Sequence, residues 1–573
     1  MAKIPVSTFV FCAVVVAAIL GIYLPGLHNE LIFDDLRLTD GAIFGHYGSL
    51  LEFKQRMLSY GSFVWVQQWL GDGWWKQRLV NIGLHMGATF ALYGLLKELL
   101  VFTRFPDDMA GQAYFEKSRR AALQVGVALF ALNPVAVYAV AYLVQRSIVM
   151  ATFFAILACW LFVRALVRQR PWLFALALLC YVAAVLSKEH AAMAAAMAVP
   201  LYIYIRRPGW KRTALIVGIS ALVLGLVAAA FFRIYGHLIG TVFDLHSRDM
   251  MKQLDAIQPG VSRHMYPLSV LNEAALFLAY GTLWFVPNVM WMSLDIRPAF
   301  PLGYTAPLDL LGAASYVALL VLCIWLVLRK RGPLALAGLC MLFPLLFYVT
   351  EFATVWVQDP FVLYRSYLWA VGFPALVAIV LTGFKPRTIY VLGTVVGIAF
   401  AGLAVERVMS LRDDFTTWSD AAEKTDMQAP ANAVGRWRSF LNVGAYHLDK
   451  GSLVQAEEDF AMANKLGEPR GAALFNRAAA LQQEKKHSEA LVVLAQAEAK
   501  GYTEPSLYYA RGESQFALNQ PELAYQSFSA AMQAPVDAAI DAQSLAQMHA
   551  VYRLRRAEAA IGAEHYDVAL ADM

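Results

Sequence analysis

The chain has 573 residues, 59% of them hydrophobic and only 16% charged, whereas a soluble globular protein carries roughly 25% charged residues. Its net charge of +5 is small for this length, and no basic stripe alternates with aromatic residues, which argues against a nucleic-acid-binding role. The five cysteines, Cys12, Cys159, Cys180, Cys323 and Cys340, all lie inside apolar runs without the spacing of a zinc or C-x-x-C redox site, and read as small buried apolar side chains.

Charge is scarce over residues 1–410 and ordinary from about 411 onward, which marks the main domain boundary. Lys3 precedes an apolar run from about Thr8 to Pro25. That run is long for a signal sequence and no small-x-small cleavage site follows, so it is expected to stay as a first membrane helix. A spanning helix needs about 20 mostly apolar residues. In chain order the candidates are about 7–25, 79–101, 121–142, 147–166, 172–187, 190–205, 213–235, 308–328, 333–350, 367–383 and 388–406, about eleven in all. Lys/Arg clusters fall between alternate spans, at Arg119-Arg120, Arg164/Arg168/Arg170, Arg206-Arg207/Lys211-Arg212, Arg329-Lys330-Arg331 and Lys385/Arg387. Placing all of them in the cytoplasm satisfies the positive-inside rule. The loops 26–78, 143–146, 187–190, 236–307 and 351–366, and the C-terminal domain, then lie outside. The stretch 272–293 is apolar enough for a twelfth span, but counting it would put the Arg329–Arg331 cluster outside. It is therefore expected to be re-entrant or interfacial, a backbone that survives at membrane depth only when protein covers it.

Residues 411–435 read as a linker or helix, and residues 436–573 repeat every 34 positions. Gly444, Ala478 and Gly512 are in register, as are Ala456, Ala490 and Ala524, and Phe460, Leu494 and Phe528. That period is the one of tetratricopeptide (TPR) helix pairs. Ala557 and Ala569 keep the internal 12-residue spacing after an 11-residue insertion, so a fourth repeat is expected to begin and to stop at Met573. The fold class expected is thus all-α: a polytopic membrane helical bundle followed by a C-terminal TPR α-solenoid, whose concave surface binds a protein partner.

Polar residues that could carry chemistry collect at the outer ends of the expected helices. Asp34 and Asp35 follow the first span; adjacent carboxylates there can take a proton from an acceptor hydroxyl, bind a metal, or cap a helix. Arg78, Asn81 and His85 share one face of the second span by their i, i+3, i+7 spacing. Arg146 lies between spans three and four, Lys188-Glu189-His190 between spans five and six, and Arg365 opens the span at 367. Charge near membrane depth is costly, although each residue alone could snorkel or pair structurally. Together the basic groups suit a phosphate or pyrophosphate, and the carboxylates suit a general base.

The segments Phe33-Asp34-Asp35, RLVNIGLH (78–85), LFALNPVAVYAVAYLVQRSIVMA (129–151), LSKEH (186–190), LYRSYLWAVGF (363–373) and RDDFTTWSDAAEK (412–424), followed directly by the repeats, resemble in order and arrangement the transmembrane-and-TPR-containing glycosyltransferases of the GT-C superfamily. The resemblance implies a membrane enzyme that moves a sugar from a polyprenyl-phosphate carrier to Ser or Thr hydroxyls of proteins on the non-cytoplasmic face. It implies Asp34 or Asp35 as the base and Arg146, Lys188 and Arg365 as the groups that neutralise the carrier phosphate. Arg78, Asn81, His85, Glu189 and His190 would support them. The implied partners are the lipid carrier and a protein acceptor held by the TPR domain. Whether a divalent metal takes part is left open, the expectation being that none is needed. Asn133-Pro134 stands where the family has His-Pro, Tyr138 replaces a Glu one turn later, and no Arg-Pro-Leu-like motif is found in the first outside loop, so the donor sugar is left open. The short outside loops and plain N-terminus have a bacterial look, which points to the inner membrane with site and repeats in the periplasm. A lipid- or glycan-acceptor ligase and a non-enzymatic membrane-anchored scaffold are the alternatives.

The charge clusters give a direct test of orientation. Alkaline phosphatase fused after about residue 430 is expected to be active, and a fusion near residue 168 inactive. The opposite pattern would reverse the membrane threading.

Overall fold

The computed structural model describes residues 6–106, 111–236, 240–242, 244–536, 540 and 542–573. Among these the chain is all-helical, with one isolated bridge between Ile296 and Phe361 and no β-strand. It divides into two compact units, residues 1–247 with 258–420, and residues 248–257 with 421–573.

The first unit begins with α1 (Val6–Tyr23), α2 (Met57–Leu70), α3 (Trp74–Phe102), α4 (Phe115–Ala131), α5 (Pro134–Val140), α6 (Arg146–Arg168), α7 (Pro171–Ser187), α8 (Ala198–Arg206) and α9 (Trp210–Tyr235). After α10 (Leu245–Ile257) come α11 (Met265–Phe285), α12 (Pro307–Arg329), α13 (Pro333–Phe347), α14 (Ser366–Trp369), α15 (Phe373–Leu381), α16 (Pro386–Ser410) and α17 (Asp414–Glu423). Proline opens α5, α7, α12, α13 and α16, where its missing N–H costs nothing. Pro134 also ends α4: the pair α4–α5 is bent by 53°, and Asn133 caps α5 by accepting a hydrogen bond from Val135 N at 3.0 Å.

Among the described residues eight helices are long and apolar enough to cross a membrane, or nine if the bent pair counts as one span. The sequence reading gives about eleven; the nine include Val261–Phe285, which that reading leaves out of its count, and lack 172–187, 190–205 and 213–235, the first two of which take a different form. The helix α7 has only 17 residues, and 190–205 is divided. Glu189–Met197 winds as a 3-10 helix before α8 starts at Ala198, because Pro200 cannot donate to the preceding turn and its ring crowds it. The stretch 272–293 is continuous helix as far as Phe285, long enough to cross. Both of its flanks, however, are tied to one loop. Ser269 Oγ accepts from Trp356 N at 2.9 Å, and Ile296 bridges Phe361. The same loop follows the helix along its length, since Tyr280 Oη accepts from Val362 N at 2.7 Å and Trp284 Nε1 donates to Ser366 Oγ at 2.9 Å, and a 3-10 helix at Val289–Trp291 comes after Phe285. Helices of this unit approach closely through small residues; a Cβ at Gly126 of α4 would stand 2.4 Å from the Pro374 carbonyl oxygen of α15.

Residues 411–420 fold onto the first unit. Arg407, buried at the end of α16, pairs with Asp420 of α17 at 2.8 Å. The second unit consists of helix hairpins: α18 (Trp437–Asp449) with α19 (Leu453–Lys465), α20 (Ala472–Gln483) with α21 (His487–Ala499), α22 (Pro505–Ala517) with α23 (Pro521–Gln533), and α24 (Ala542–Gly562) with α25 (Tyr566–Asp572). Ala456, Ala490, Ala524 and Ala557 are fully buried at the crossings. Residues 248–257 of α10 join this unit, although the sequence reading leaves them in an outside loop. Asp249 pairs with Arg470, Gln253 bonds the Gly467 carbonyl, and Met250 and Leu254 are fully buried.

The first and third hairpins close where a glycine meets a phenylalanine ring, Gly444 with Phe460 and Gly512 with Phe528. A Cβ at Gly512 would lie 2.7 Å from the Phe528 ring. Gly512→Leu is expected to destabilise the second unit by about 1–3 kcal/mol, the usual cost of overpacking. Urea unfolding followed by limited proteolysis of the repeat segment would show it, and an unchanged midpoint would contradict the contact.

Candidate functional site

The chain between α1 and α2 turns through a 3-10 helix, Phe33–Leu38. Phe33 enters it with a left-handed φ of 47°, a strained conformation for a bulky residue, and packs edge-on against Trp418 at 5.7 Å. The two carboxylates that follow have different surroundings. Asp35 is fully buried. Its Oδ1 accepts from Val144 N at 2.7 Å, and its Oδ2 has no hydrogen-bond partner among the described residues. Burial pushes its carboxyl up to about 7, against the pull of the Val144 N–H and of the Arg78 charge. Asp34 is half-buried. Its N–H donates to Tyr142 Oη at 2.8 Å, and its carboxylate accepts no hydrogen bond among the described residues.

The turn that Asp35 grips, residues 140–145, is held from below by Arg146. This guanidinium is fully buried. It donates from Nε to Asn81 Oδ1 at 2.8 Å, to Ser62 Oγ at 3.2 Å, and to Gln77 O and Oε1 at 2.7 and 2.8 Å. The ring of Phe63 lies 3.7 Å beneath it. Asn81 returns hydrogen bonds to the carbonyls of Val140 and Leu143. Arg146, which the sequence reading assigns to the phosphate, thus spends four of its five N–H donors inside the protein and acts as a positioning residue. His85 lies apart from the other candidates: its nitrogens meet Tyr367 Oη at 2.6 Å and the Ala131 carbonyl at 3.0 Å, a cross-brace between helices. Arg78 is buried and bonds the Glu30 carbonyl at 2.9 Å, and its Nε and second terminal nitrogen have no partner among the described residues.

A second group surrounds Lys188, in the turn after α7. Its Nζ is 3.5 Å from Gln145 Oε1 and 5.2 Å from the centre of the Tyr364 ring. It makes no ion pair with a carboxylate among the described residues. Its cationic neighbours are neutralised. Arg365 pairs with Glu351 at 3.4 Å and stacks on Trp356 at 3.5 Å. Arg56 grips Glu189 through two bonds, at 2.5 and 3.0 Å. His190 lies 3.6 Å from Glu189 and 3.8 Å from Glu351. Tyr142 and Tyr364, in contact at 6.1 Å, join this group to the aspartates. The structure therefore gathers Asp34, Asp35, Arg78, Lys188, Glu189, His190 and Arg365 at one end of the first unit, with Asn81 and Arg146 beneath. Arg56, Glu351, Tyr142 and Tyr364 escape the sequence reading. Arg56 and Glu189 are 133 positions apart, and no local pattern announces such a pair.

The departures from the family pattern have partners of their own. Asn133 Nδ2 donates to the Trp284 carbonyl at 2.9 Å, and Tyr138 Oη accepts from Arg407 at 3.2 Å. Among the described residues no three His, Cys, Asp or Glu side chains are grouped to hold a metal ion. No family model, no curated protein and no solved structure matches the chain.

The buried Asp35 carboxyl has a thermodynamic consequence. Its value in the folded protein, about 7, lies above that of a free aspartate. Folding is therefore favoured while Asp35 keeps its proton, and stability is lost as pH rises from about 4 to about 7. Asp35→Asn removes that loss, so the melting midpoint of the variant relative to the parent is expected to rise between about pH 4 and pH 7 and to level off above. A pH-independent difference would show that Asp35 is not held neutral.

Proposed function

We propose that the protein is a membrane glycosyltransferase of the GT-C type that takes a sugar from a polyprenyl-phosphate carrier, undecaprenyl-based in a bacterial inner membrane, and transfers it to Ser or Thr hydroxyls of proteins on the periplasmic face. The repeats of the second unit are a TPR solenoid that presents the acceptor. The observation that carries this reading is the Tyr142–Tyr364 pair: the half-buried Asp34, whose carboxylate accepts no hydrogen bond among the described residues, is held to Tyr142 Oη through its N–H, and Lys188 lies over the ring of Tyr364.

Asp34 is the base. Its carboxylate takes the proton of the acceptor hydroxyl as that oxygen bonds to the anomeric carbon. The bond from that carbon to the phosphate oxygen breaks, and the carrier leaves as a phosphate monoester. Lys188 offers its N–H donors to the charge that develops on the leaving phosphate. Arg365, held flat between Trp356 and Glu351, adds a planar donor that a lysine could not reproduce. Asp35 does not touch the substrate: through Val144 N it keeps the 33–38 turn against the 140–145 turn.

The purified full-length chain, a polyprenyl-phosphate-linked sugar and envelope proteins analysed by intact mass supply the test. Asp34→Asn is expected to leave the melting midpoint unchanged and to slow transfer by about two orders of magnitude or more. Lys188→Ala is expected to weaken use of the lipid-linked donor more than Lys188→Arg. Transfer at the parent rate by Asp34→Asn would remove Asp34 from the chemistry, and no mass shift with any lipid-linked sugar would remove the enzymatic reading.

A further inference from the structure

Leu50, Leu51 and Phe53, in the loop before α2, are 62%, 91% and 84% exposed, yet the backbone that carries them is fixed. Trp65 Nε1 donates to the Gly48 carbonyl at 2.8 Å, Tyr47 Oη to the Gln55 carbonyl at 3.1 Å, and Lys54 Nζ to the His46 carbonyl at 2.9 Å. Gly48, at φ +118°, presses so closely on α2 that a Cβ there would be 2.9 Å from Val64. Glu52 and Lys54 neutralise one another at 2.6 Å. A fixed turn that holds three large apolar side chains in the open, with no net charge beside them, has the form of a binding surface.

The surroundings identify the partner. The loop rests on α2 at Val64 and Trp65, about 6 Å along the helix axis from Trp69. Trp69 and Leu70 at the end of α2 are exposed. Trp74, Trp75 and Lys76 then open α3, a 29-residue apolar helix. Tryptophan and lysine at the mouth of an apolar helix mark the headgroup level of a bilayer. We infer that the loop inserts Leu50, Leu51 and Phe53 as a wedge into the lipid leaflet.

The wedge is joined to the candidate site by two contacts that flank Lys188. Ser59 Oγ donates to the Ser187 carbonyl at 2.7 Å, and Arg56 grips Glu189. The depth to which the tip enters the leaflet thus fixes the depth of the Lys188 ammonium against the phosphate plane, a consequence that rests on the lipid-phosphate reading of the site, whereas insertion itself does not. An apolar face of this kind settles about 5–10 Å into the headgroup and acyl boundary, which leaves the turn above it at headgroup level.

The test uses the full-length chain with Cys12→Ser, since Cys12 is half-buried and the other four cysteines are buried. An environment-sensitive fluorophore is attached at Leu51→Cys, Phe53→Cys or, as a control in the repeats, Val454→Cys. The protein is reconstituted in phosphatidylethanolamine and phosphatidylglycerol vesicles with or without brominated acyl chains. Loss of emission with brominated lipid at 51 and 53, and none at 454, is expected. Quenching of positions 51 and 53 by aqueous iodide and not by brominated lipid overturns the proposal. The combined variant Leu50→Ser, Leu51→Ser, Phe53→Ser alters only exposed side chains and is expected to melt like the parent in detergent. In vesicles its transfer from a lipid-linked donor is expected to fall, while transfer in detergent stays at the parent rate. Parent-like transfer in vesicles would overturn the depth-setting role. If the parent itself transfers no sugar, the glycosyltransferase reading fails and the quenching result still decides insertion.

Discussion

The guanidinium of Arg146 lies entirely out of solvent and meets no carboxylate among the described residues. A charge buried in this way is tolerated only if its donors are met. Here Asn81 and Gln77 of α3 and Ser62 of α2 meet them, and the Phe63 ring adds a cation–π face. Those partners fix the directions of α2 and α3, and the return bonds of Asn81 fix the turn 140–145. The turn in its place offers Val144 N to Asp35. Loss of the arginine would leave amide and hydroxyl groups unmet in the same volume, and the placement of both aspartates depends on that volume.

Two adjacent carboxylates receive opposite environments from this arrangement. Asp35 is drawn into the protein and held close to neutral, and Asp34 is left at its edge beside two tyrosines. A difference of environment between neighbouring acids is how one site separates a structural role from a chemical one. The cations are sorted in the same manner. Arg56 and Arg365 have carboxylate partners, so their charge is spent in the protein; Lys188 has only an amide oxygen at long range. Arg78, which bonds only the Glu30 carbonyl, likewise has no carboxylate partner among the described residues.

The candidate site lies where helices end. In the middle, contact is made by small residues and aromatic rings, as at Gly126 against Pro374 or in the rings around Trp369. Polar pairs are set among these contacts, His85 with Tyr367 and Glu273 with Tyr348. Where helices end, four backbone groups at each terminus have no intrahelical partner, and side chains such as Asn133, Asp35 and Asn81 meet them. The repeats follow the same economy: Gly444 and Gly512 admit Phe460 and Phe528, and buried alanines close each crossing.

Sequence alone determined what local chemistry fixes. Hydropathy over windows of about twenty residues gave the apolar helices, and the 34-residue register of Gly444, Ala478 and Gly512 gave the hairpins of the second unit. The adjacency of Asp34 and Asp35, and the presence of basic residues at helix ends, were legible in the same way. Which of those residues had free chemistry was not. Arg146 looked like Lys188 in sequence, an isolated cation in a turn between apolar runs. Only the tertiary structure showed that α2 and α3 consume the first, and that the carboxylates which might have neutralised the second, Glu189 and Glu351, are taken by Arg56 and Arg365. The division of 190–205 by Pro200 was readable in hindsight, whereas the capture of α10 by the second unit was not. The reason is physical: helix formation and burial depend on neighbours a few positions away, but the free charge of a buried site depends on which distant side chains have already neutralised one another.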